Sequence, residues 1–319
     1  MVRKITIENK TTGEQLLFDE TATNGFLLDS VEWDSPVITN ESYRIPFQIG
    51  ETLSSVVVGT RKPKITGYVV SNQNYSTGIE WGEYLSLQER DIVNLKKSMN
   101  AFFNIDDEFE IQVDNYYLRC RLNQPVSYSN SEKENNEVLC LFSLEFTCYS
   151  PLFFEQGGSA SEFYHVDNKF YFPLTIPENK GVVMGAITIL EYDTVKNKGD
   201  VEVGFVAIMR VLNGTIINPV LRNATTGEEI NVYDTVVMSK METDDYIIIN
   251  TKNGEEDVTF YDASTKETKE LIGELSFDST FFQLQKGDNV IEYDYDSSST
   301  GQLEVIVYYD NQYFNIGVM

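Results

Sequence analysis

The chain has 319 residues, 41% of them hydrophobic and 13% aromatic, with 19 Tyr and 19 Phe, which is the apolar content of a folded globular protein and not of a disordered one. Its net charge of −26 is shared by both halves: 13 Lys/Arg against 23 Asp/Glu give −10 over residues 1–155, and 11 against 27 give −16 over the remainder. No cationic run is longer than Arg61-Lys62 with Lys64 close by, so a surface that neutralises phosphates is excluded, and nucleic acid and anionic membrane are not expected partners. The length suits two domains, each large enough for its own core.

Met1 to Glu8 enters an alternating strand pattern at once, with Ile5 and Ile7 on one parity and no apolar core of a signal peptide. No stretch reaches a membrane-spanning length. Ser86 followed by Glu89 reads as a capping box, and Ile92, Leu95, Met99 and Phe102, with Phe103 beside them, continue at helical spacing, which predicts one helix over 86–103. Phe109, Ile111 and Val113 alternate into Asp114-Asn115, and Tyr116, Leu118, Cys120 and Leu122 alternate out, as in a hairpin. The clearest strand covers 138–148, where Val138, Cys140, Phe142, Leu144, Phe146 and Cys148 share one parity. The cysteines of these two strands are expected to share a core. Three cysteines at apolar positions also argue against a secreted disulfide framework and for synthesis in a reducing cytoplasm.

After Tyr149-Ser150-Pro151 the composition turns small and polar over Gln156 to Ser161, which places a domain boundary near 155 and gives domains 1–155 and 156–319. Strands are expected at 184–190, 201–211, 246–251, 258–261, 281–284, 290–293 and 303–308, a spacing that suggests a sandwich, with no long helix. Asn9-Lys10-Thr11-Thr12-Gly13-Glu14 returns as Asn223-Ala224-Thr225-Thr226-Gly227-Glu228, which reads as two similar hairpin turns ahead of a duplication. The fold class expected is mainly β: two β-sandwich-like domains, the first with a single helix.

A search for chemistry finds little. The single histidine, His165, has no partner motif and reads as a surface or packing residue. Cys120, Cys140 and Cys148 read as core, and no Cys/His spacing suits zinc. Asp294 to Ser299 imitates the opening of a calcium loop, but Ser299 stands where glycine is needed and Val305 where the closing glutamate belongs, so a solvated hairpin loop is expected. Asp106-Asp107-Glu108 and Asp244-Asp245 read as solvated charge, no phosphate-cradling glycine loop occurs, and four glycosylation sequons are attributed to chance. Trp81, near Tyr75 and Tyr84, reads as a packing or interface aromatic ahead of a sugar platform. No catalytic, cofactor-binding or metal-ligating residue is assigned, no cofactor is expected, and an enzyme is not expected.

Several segments in order resemble the distal tail protein family of long-tailed bacteriophages. Ile5 to Asn9 with Gly13-Glu14 resembles its opening hairpin, Gln48 to Glu51 and Ile65 to Tyr68 its next strands, and Leu144 to Phe154 its exit strand with a Pro-aromatic step. Gly199 to Glu202, Ile217-Asn218-Pro219, Thr226-Gly227-Glu228, Tyr246 to Thr251 and Phe282 to Asn289 continue the likeness over most of the chain. The resemblance implies a first domain that forms a homohexameric ring continuing the tail tube, and a second, galectin-like (jelly-roll) sandwich that can carry receptor-binding proteins. Tail tube protein, a tail-tip protein and receptor-binding protein are the implied partners, in a virion assembled in the bacterial cytoplasm. Departures are the acidic insert around Ser127 to Asn136 and the segment 156–180. Two other functions compete with this one: a carbohydrate-binding module contacting host cell-wall sugar, disfavoured because both tryptophans, Trp33 and Trp81, lie in the first half, and a cell-wall hydrolase, for which no carboxylate pair stands out.

Overall fold

The computed structural model describes residues 4–71, 81–136, 138–168, 185–232 and 240–317, with backbone alone at 81–84, 164–168 and 185–189. The chain divides into two compact units, one of residues 1–156 together with 313–319, the other of Gly157–Gln312. The sequence placed everything after 155 in the second domain; the chain instead returns to the first unit for its last residues.

The first unit contains β1 (Lys4–Asn9), β2 (Gln15–Asp19), β3 (Phe26–Glu32), β4 (Ile38–Tyr43), β5 (Thr52–Val58), β6 (Lys64–Val70), helix α1 (Trp81–Phe102), β7 (Glu108–Val113), β8 (Tyr116–Leu122), β9 (Ser127–Tyr128), β10 (Leu139–Thr147) and β11 (Phe153–Glu155). Its main sheet runs β8-β7-β1-β2-β3-β6-β10 and closes where β10 pairs with β8, Phe146 opposite Leu122 and Thr147 opposite Arg121. Closure leaves these strands without free edges, so the sandwich-like pattern becomes a barrel. Alternation supplies the interior: Ile5, Ile7, Phe18, Phe109, Ile111, Phe142, Leu144 and Phe146 are buried, and so are all three cysteines. Helix α1 adds Ile92, Met99 and Phe102, with Phe103 after it; the Phe103 ring lies 5.4 Å from Phe109 and 6.1 Å from Phe146. Each such ring contributes about 2–3 kcal/mol by leaving water.

The helix begins at Trp81, five residues before the capping box, so Ser86 lies inside it and cannot be its N-cap. In β6, Gly67 sits between Leu28 and Phe142 in register, and a Cβ there would come 2.3 Å from the Leu27 carbonyl oxygen and 2.7 Å from the Phe142 ring.

The second unit contains β12 (Ser159–Glu162), β13 (Tyr164–Asn168), β14 (Gly185–Ile189), β15 (Tyr192–Asn197), β16 (Phe205–Asn213), β17 (Thr215–Ile216), β18 (Val220–Asn223), β19 (Glu228–Asn231), β20 (Met241–Glu242), β21 (Tyr246–Asn250), β22 (Asp257–Tyr261), β23 (Thr268–Glu270), β24 (Gly287–Asp294) and β25 (Gln302–Tyr309). Two sheets, β12-β25-β16-β21-β22-β23 and β15-β24-β18-β19, pack face to face over one core that includes Phe205, Met209, Leu221, Ile249, Ile291 and Val305. Phe281–Leu284 forms no strand: only Leu284 bridges, to Val203, while Phe282 is buried against Phe205 at 5.1 Å. Burial without alternation misled the strand reading there. A last strand, β26 (Gln312–Tyr313), lies beside β11.

The recurring Asn-x-Thr-Thr-Gly-Glu string forms one turn built twice. Gly13 N–H donates to the Asn9 carbonyl at 2.8 Å and Gly227 to that of Asn223 at 2.7 Å. Asn9 Oδ1 accepts from Thr11 N–H and Asn223 Oδ1 from Thr225 N–H, and the glycines sit at φ 75° and 79°. An Asx turn followed by a left-handed residue demands this sequence, so the repeat follows from local geometry.

Candidate functional site

The feature that the core does not explain is the hairpin of β4 and β5, which pair only with each other among the described residues. Every residue of β4 is exposed and none of β5 is buried. Apolar side chains nevertheless line both strands and the turn: Val37, Ile38, Tyr43, Ile45, Leu53, Val56 and Val57 are about half exposed or more, and Phe47 and Ile49 are fully so, at 106% and 101%. A two-stranded ribbon with neither face covered is marginal in water, so the chain spends apolar surface here without folding it away.

The tip is a β-turn over Ile45 to Gln48, with Gln48 N–H donating to the Ile45 carbonyl at 3.1 Å. Pro46 pre-sets the first corner, and Phe47 takes φ 70° at the second, a position that ordinarily demands glycine. Gln48 holds the turn from within, its Nε2 donating to Thr52 Oγ1 at 2.8 Å. Cross-strand bonds from Ser42 to Glu51 and from Ser55 to Glu41, the latter at 2.8 Å, add register to the stem.

The root is fixed by Arg61, which is fully buried. Its guanidinium donates from Nη1 to the Asp34 carbonyl at 2.9 Å, from Nε to the Pro151 carbonyl at 2.7 Å and from Nη2 to the Phe314 carbonyl, and it lies 4.6 Å from the centre of the Phe153 ring. Asp34 precedes the hairpin and Arg61 follows it, so one side chain ties both of its ends to the exit segment and to the C-terminus. Burial lowers the Arg61 pKa from its ordinary value, yet guanidinium stays charged at any physiological pH.

No family model matches the sequence, nor does any curated protein. Among solved structures, the chain is similar to the Dit protein (gp 19.1) of phage SPP1, described as a paradigm of the hub adsorption apparatus in phages infecting Gram-positive bacteria. The similarity covers 97% of this chain and 98% of that one at 14% identity, with a TM-score of 0.59. The chain has the fold of a phage Dit protein. A chain of the phage P2 baseplate in its activated conformation with Ca also aligns, over 97% and 98%, at 13% identity and a TM-score of 0.44. The mainly β class read from the sequence is the class of the Dit fold.

Within this Dit fold, the sequence candidates scatter. Asp107 is buried and accepts from Asn9 Nδ2 at 2.8 Å, while Glu108 pairs with Arg121 on the surface. Asp245 caps two backbones, accepting from Glu242 N–H at 2.7 Å and Ala263 N–H at 2.8 Å, and Asp244 faces Arg210. Within each unit these carboxylates are engaged in local structure. Asp296 accepts from the Ser298 N–H and hydroxyl in an exposed loop, and among the described residues no cluster of His, Cys, Asp and Glu suits a metal. His165 lies on β13 and Trp81 and Tyr84 in the first turn of α1, with side chains outside the described residues; Tyr75 lies outside them altogether. The segment Gln48 to Glu51, which resembles a family strand, lies in the loop that joins β4 to β5. Among the described residues no helix is long and apolar enough to cross a membrane. Sequence reasoning does not single out the hairpin or Arg61; the available signals are Val56-Val57-Val58 and Ile45-Pro46-Phe47, two apolar runs with no alternation to assign them a face.

Proposed function

We propose that this chain is a structural virion protein, the distal tail hub of a long-tailed phage, which assembles as a homohexameric ring through its first unit. The ring joins the tail tube to the tip proteins, and the second unit carries receptor-binding protein. The observation that carries this reading is the uncovered β4–β5 hairpin: a ring subunit needs a surface that is apolar, rigidly rooted and useless in the monomer. The hairpin residues 37–58 carry only Glu41, Arg44 and Glu51 as charges, in a chain of net charge −26, so like-charged subunits can approach there. The likeness to a phage hub protein supports the same reading. No reactive centre is required, and the function is not enzymatic.

Light scattering followed by negative-stain imaging tests it. The expected result is a closed ring that survives high salt, because its contacts are apolar, and that is lost when Phe47 and Ile49 are both replaced by Ser. A chain that stays monomeric at all concentrations, alone and with its tail partners, overturns the proposal.

A further inference from the structure

Two of the three cysteines meet at the seam where the barrel closes. Antiparallel pairing of β10 with β8 sets Phe146 opposite Leu122 and Thr147 opposite Arg121, and the next step of that register brings Cys148 opposite Cys120. Cys148 is held from its other side, where its N–H donates to the Arg61 carbonyl at 2.8 Å and its carbonyl accepts from Arg61 N–H at 3.1 Å. The two thiols are hydrogen-bonded to each other, and Cys120 Sγ donates in turn to the Phe109 carbonyl at 3.5 Å. Both cysteines are buried, Cys120 at 4% exposure and Cys148 at 0%. Opposed residues of an antiparallel pair have Cα atoms about 4.5–5.5 Å apart, within the span that a disulfide bridges. Cys140 has no such partner: eight residues of chain, about 27 Å of strand, separate it from Cys148. Past Cys120 the neighbour of β8 changes, with Tyr117 and Tyr116 pairing to Phe154 and Glu155 of β11. Beside this crossover lies an open groove of about 360 Å³, bordered by Cys120, Tyr149 and Ser150.

We propose that Cys120 and Cys148 form a redox modification site, two thiols that a small peroxide converts into one disulfide across the barrel seam. The groove brings a molecule the size of hydrogen peroxide to Cys120, while a bulky disulfide oxidant has no room between the strands. One peroxide oxygen passes to a thiol sulfur, giving a sulfenic acid and the first water. The sulfur of the other cysteine then attacks that sulfenic sulfur, the S–O bond breaks, and the departing hydroxide takes the second thiol proton as water. Two thiols lose two electrons and two protons, and one peroxide becomes two waters. Burial, with the hydrogen bond from Cys148 next, raises the Cys120 pKa, so the pair stays reduced wherever thiols are kept reduced and reacts slowly outside such surroundings. The bond lands where hydrogen bonds are few: β10 and β8 pair over two residues, against six for β7 and β8. It also closes the loop from Cys120 to Cys148, which removes freedom from the unfolded chain. The inference concerns the first unit alone and is independent of ring assembly.

The test is incubation of the folded full chain with hydrogen peroxide, followed by thiol titration in denaturant, peptide mapping without reductant, and thermal melting before and after dithiothreitol. Titratable thiols should fall from three to one, and the map should link Cys120 to Cys148. The oxidised chain should melt about 5 °C or more above the same sample after dithiothreitol, a comparison that methionine sulfoxide does not enter because dithiothreitol leaves it in place. Cys140→Ala should keep the whole response and Cys148→Ala should abolish it; where the second variant does not fold, the peptide map of the unaltered chain carries the assignment. The proposal is overturned if all three thiols survive peroxide that oxidises the denatured chain, or if the link involves Cys140 or a second copy. Sulfinic acid on single cysteines in place of the link, or a linked form that melts no higher than its reduced counterpart, overturns it equally.

Discussion

The guanidinium of Arg61 and the carbonyl of Phe314 meet across 253 residues of sequence, inside the first unit, with the arginine fully buried. Every other acceptor of that guanidinium is also a backbone carbonyl, so the charge is stabilised by dipoles that only the folded chain assembles.

Replacing Arg61 by Met leaves the carbonyls of Asp34, Pro151 and Phe314 buried without their donor, and is expected to cost about 3 kcal/mol or more. Deleting residues 313–319 removes one acceptor and the edge-on contact of Tyr313 with Tyr116 at 5.5 Å, and should destabilise the same unit. Because the two changes share a bond, their effects on chemical denaturation should sum to more than the double variant shows. Strict additivity would argue that the tail docks without Arg61.

Phe47→Gly separates stability from assembly. The left-handed conformation costs an ordinary residue about 1–2 kcal/mol and glycine little. The isolated chain should therefore melt at the same temperature or higher, while light scattering shows association weakened by loss of the exposed ring. A variant that melts lower yet assembles normally would contradict both halves of the argument.

Gly67→Ala drives a methyl group into the Leu27 carbonyl and the Phe142 ring within the closed barrel. Neither strand can retreat without opening a ladder, so the expected loss is about 2–4 kcal/mol, read by denaturation, with soluble yield falling.

Burial raises the Tyr293 pKa, and Tyr295 and Glu191 add to the shift; its hydroxyl donates to the Leu303 carbonyl at 3.1 Å. The folded state favours the protonated phenol, so this contribution is complete below the unfolded value of about 10 and is lost as pH rises beyond it. Stability measured from pH 8 to 11.5 should fall, and Tyr293→Phe, weaker at pH 8 by its missing hydrogen bond, should lose less over that interval. Parallel curves would exclude Tyr293 as a source of the alkaline loss.

The parts of the fold that alternation controls were legible. Leu139 to Thr147 reads as a half-buried strand because each inward side chain meets the same core, and the observed strand agrees to within a residue or so at each end. The start of α1 was not legible, because Ser86 and Glu89 satisfy a capping pattern that a helix interior equally tolerates. The hairpin was illegible for a different reason. Side-chain periodicity reports a boundary between core and water, and β4 and β5 have no core on either side. Arg61 was counted only as part of a short basic run, since nothing near it in sequence shows that its acceptors are carbonyls 27, 90 and 253 positions away.

The return of the last residues to the first unit sets an order of events on the ribosome. The barrel strands emerge first, but the acceptor that completes the seat of Arg61 is made after the whole of Gly157–Gln312 has been translated. Until then the arginine stands beside the root of the hairpin with an open bond. A nascent chain therefore holds an apolar, uncovered ribbon on a root that is not yet locked, and the hairpin gains its firm base only once Phe314 has been made.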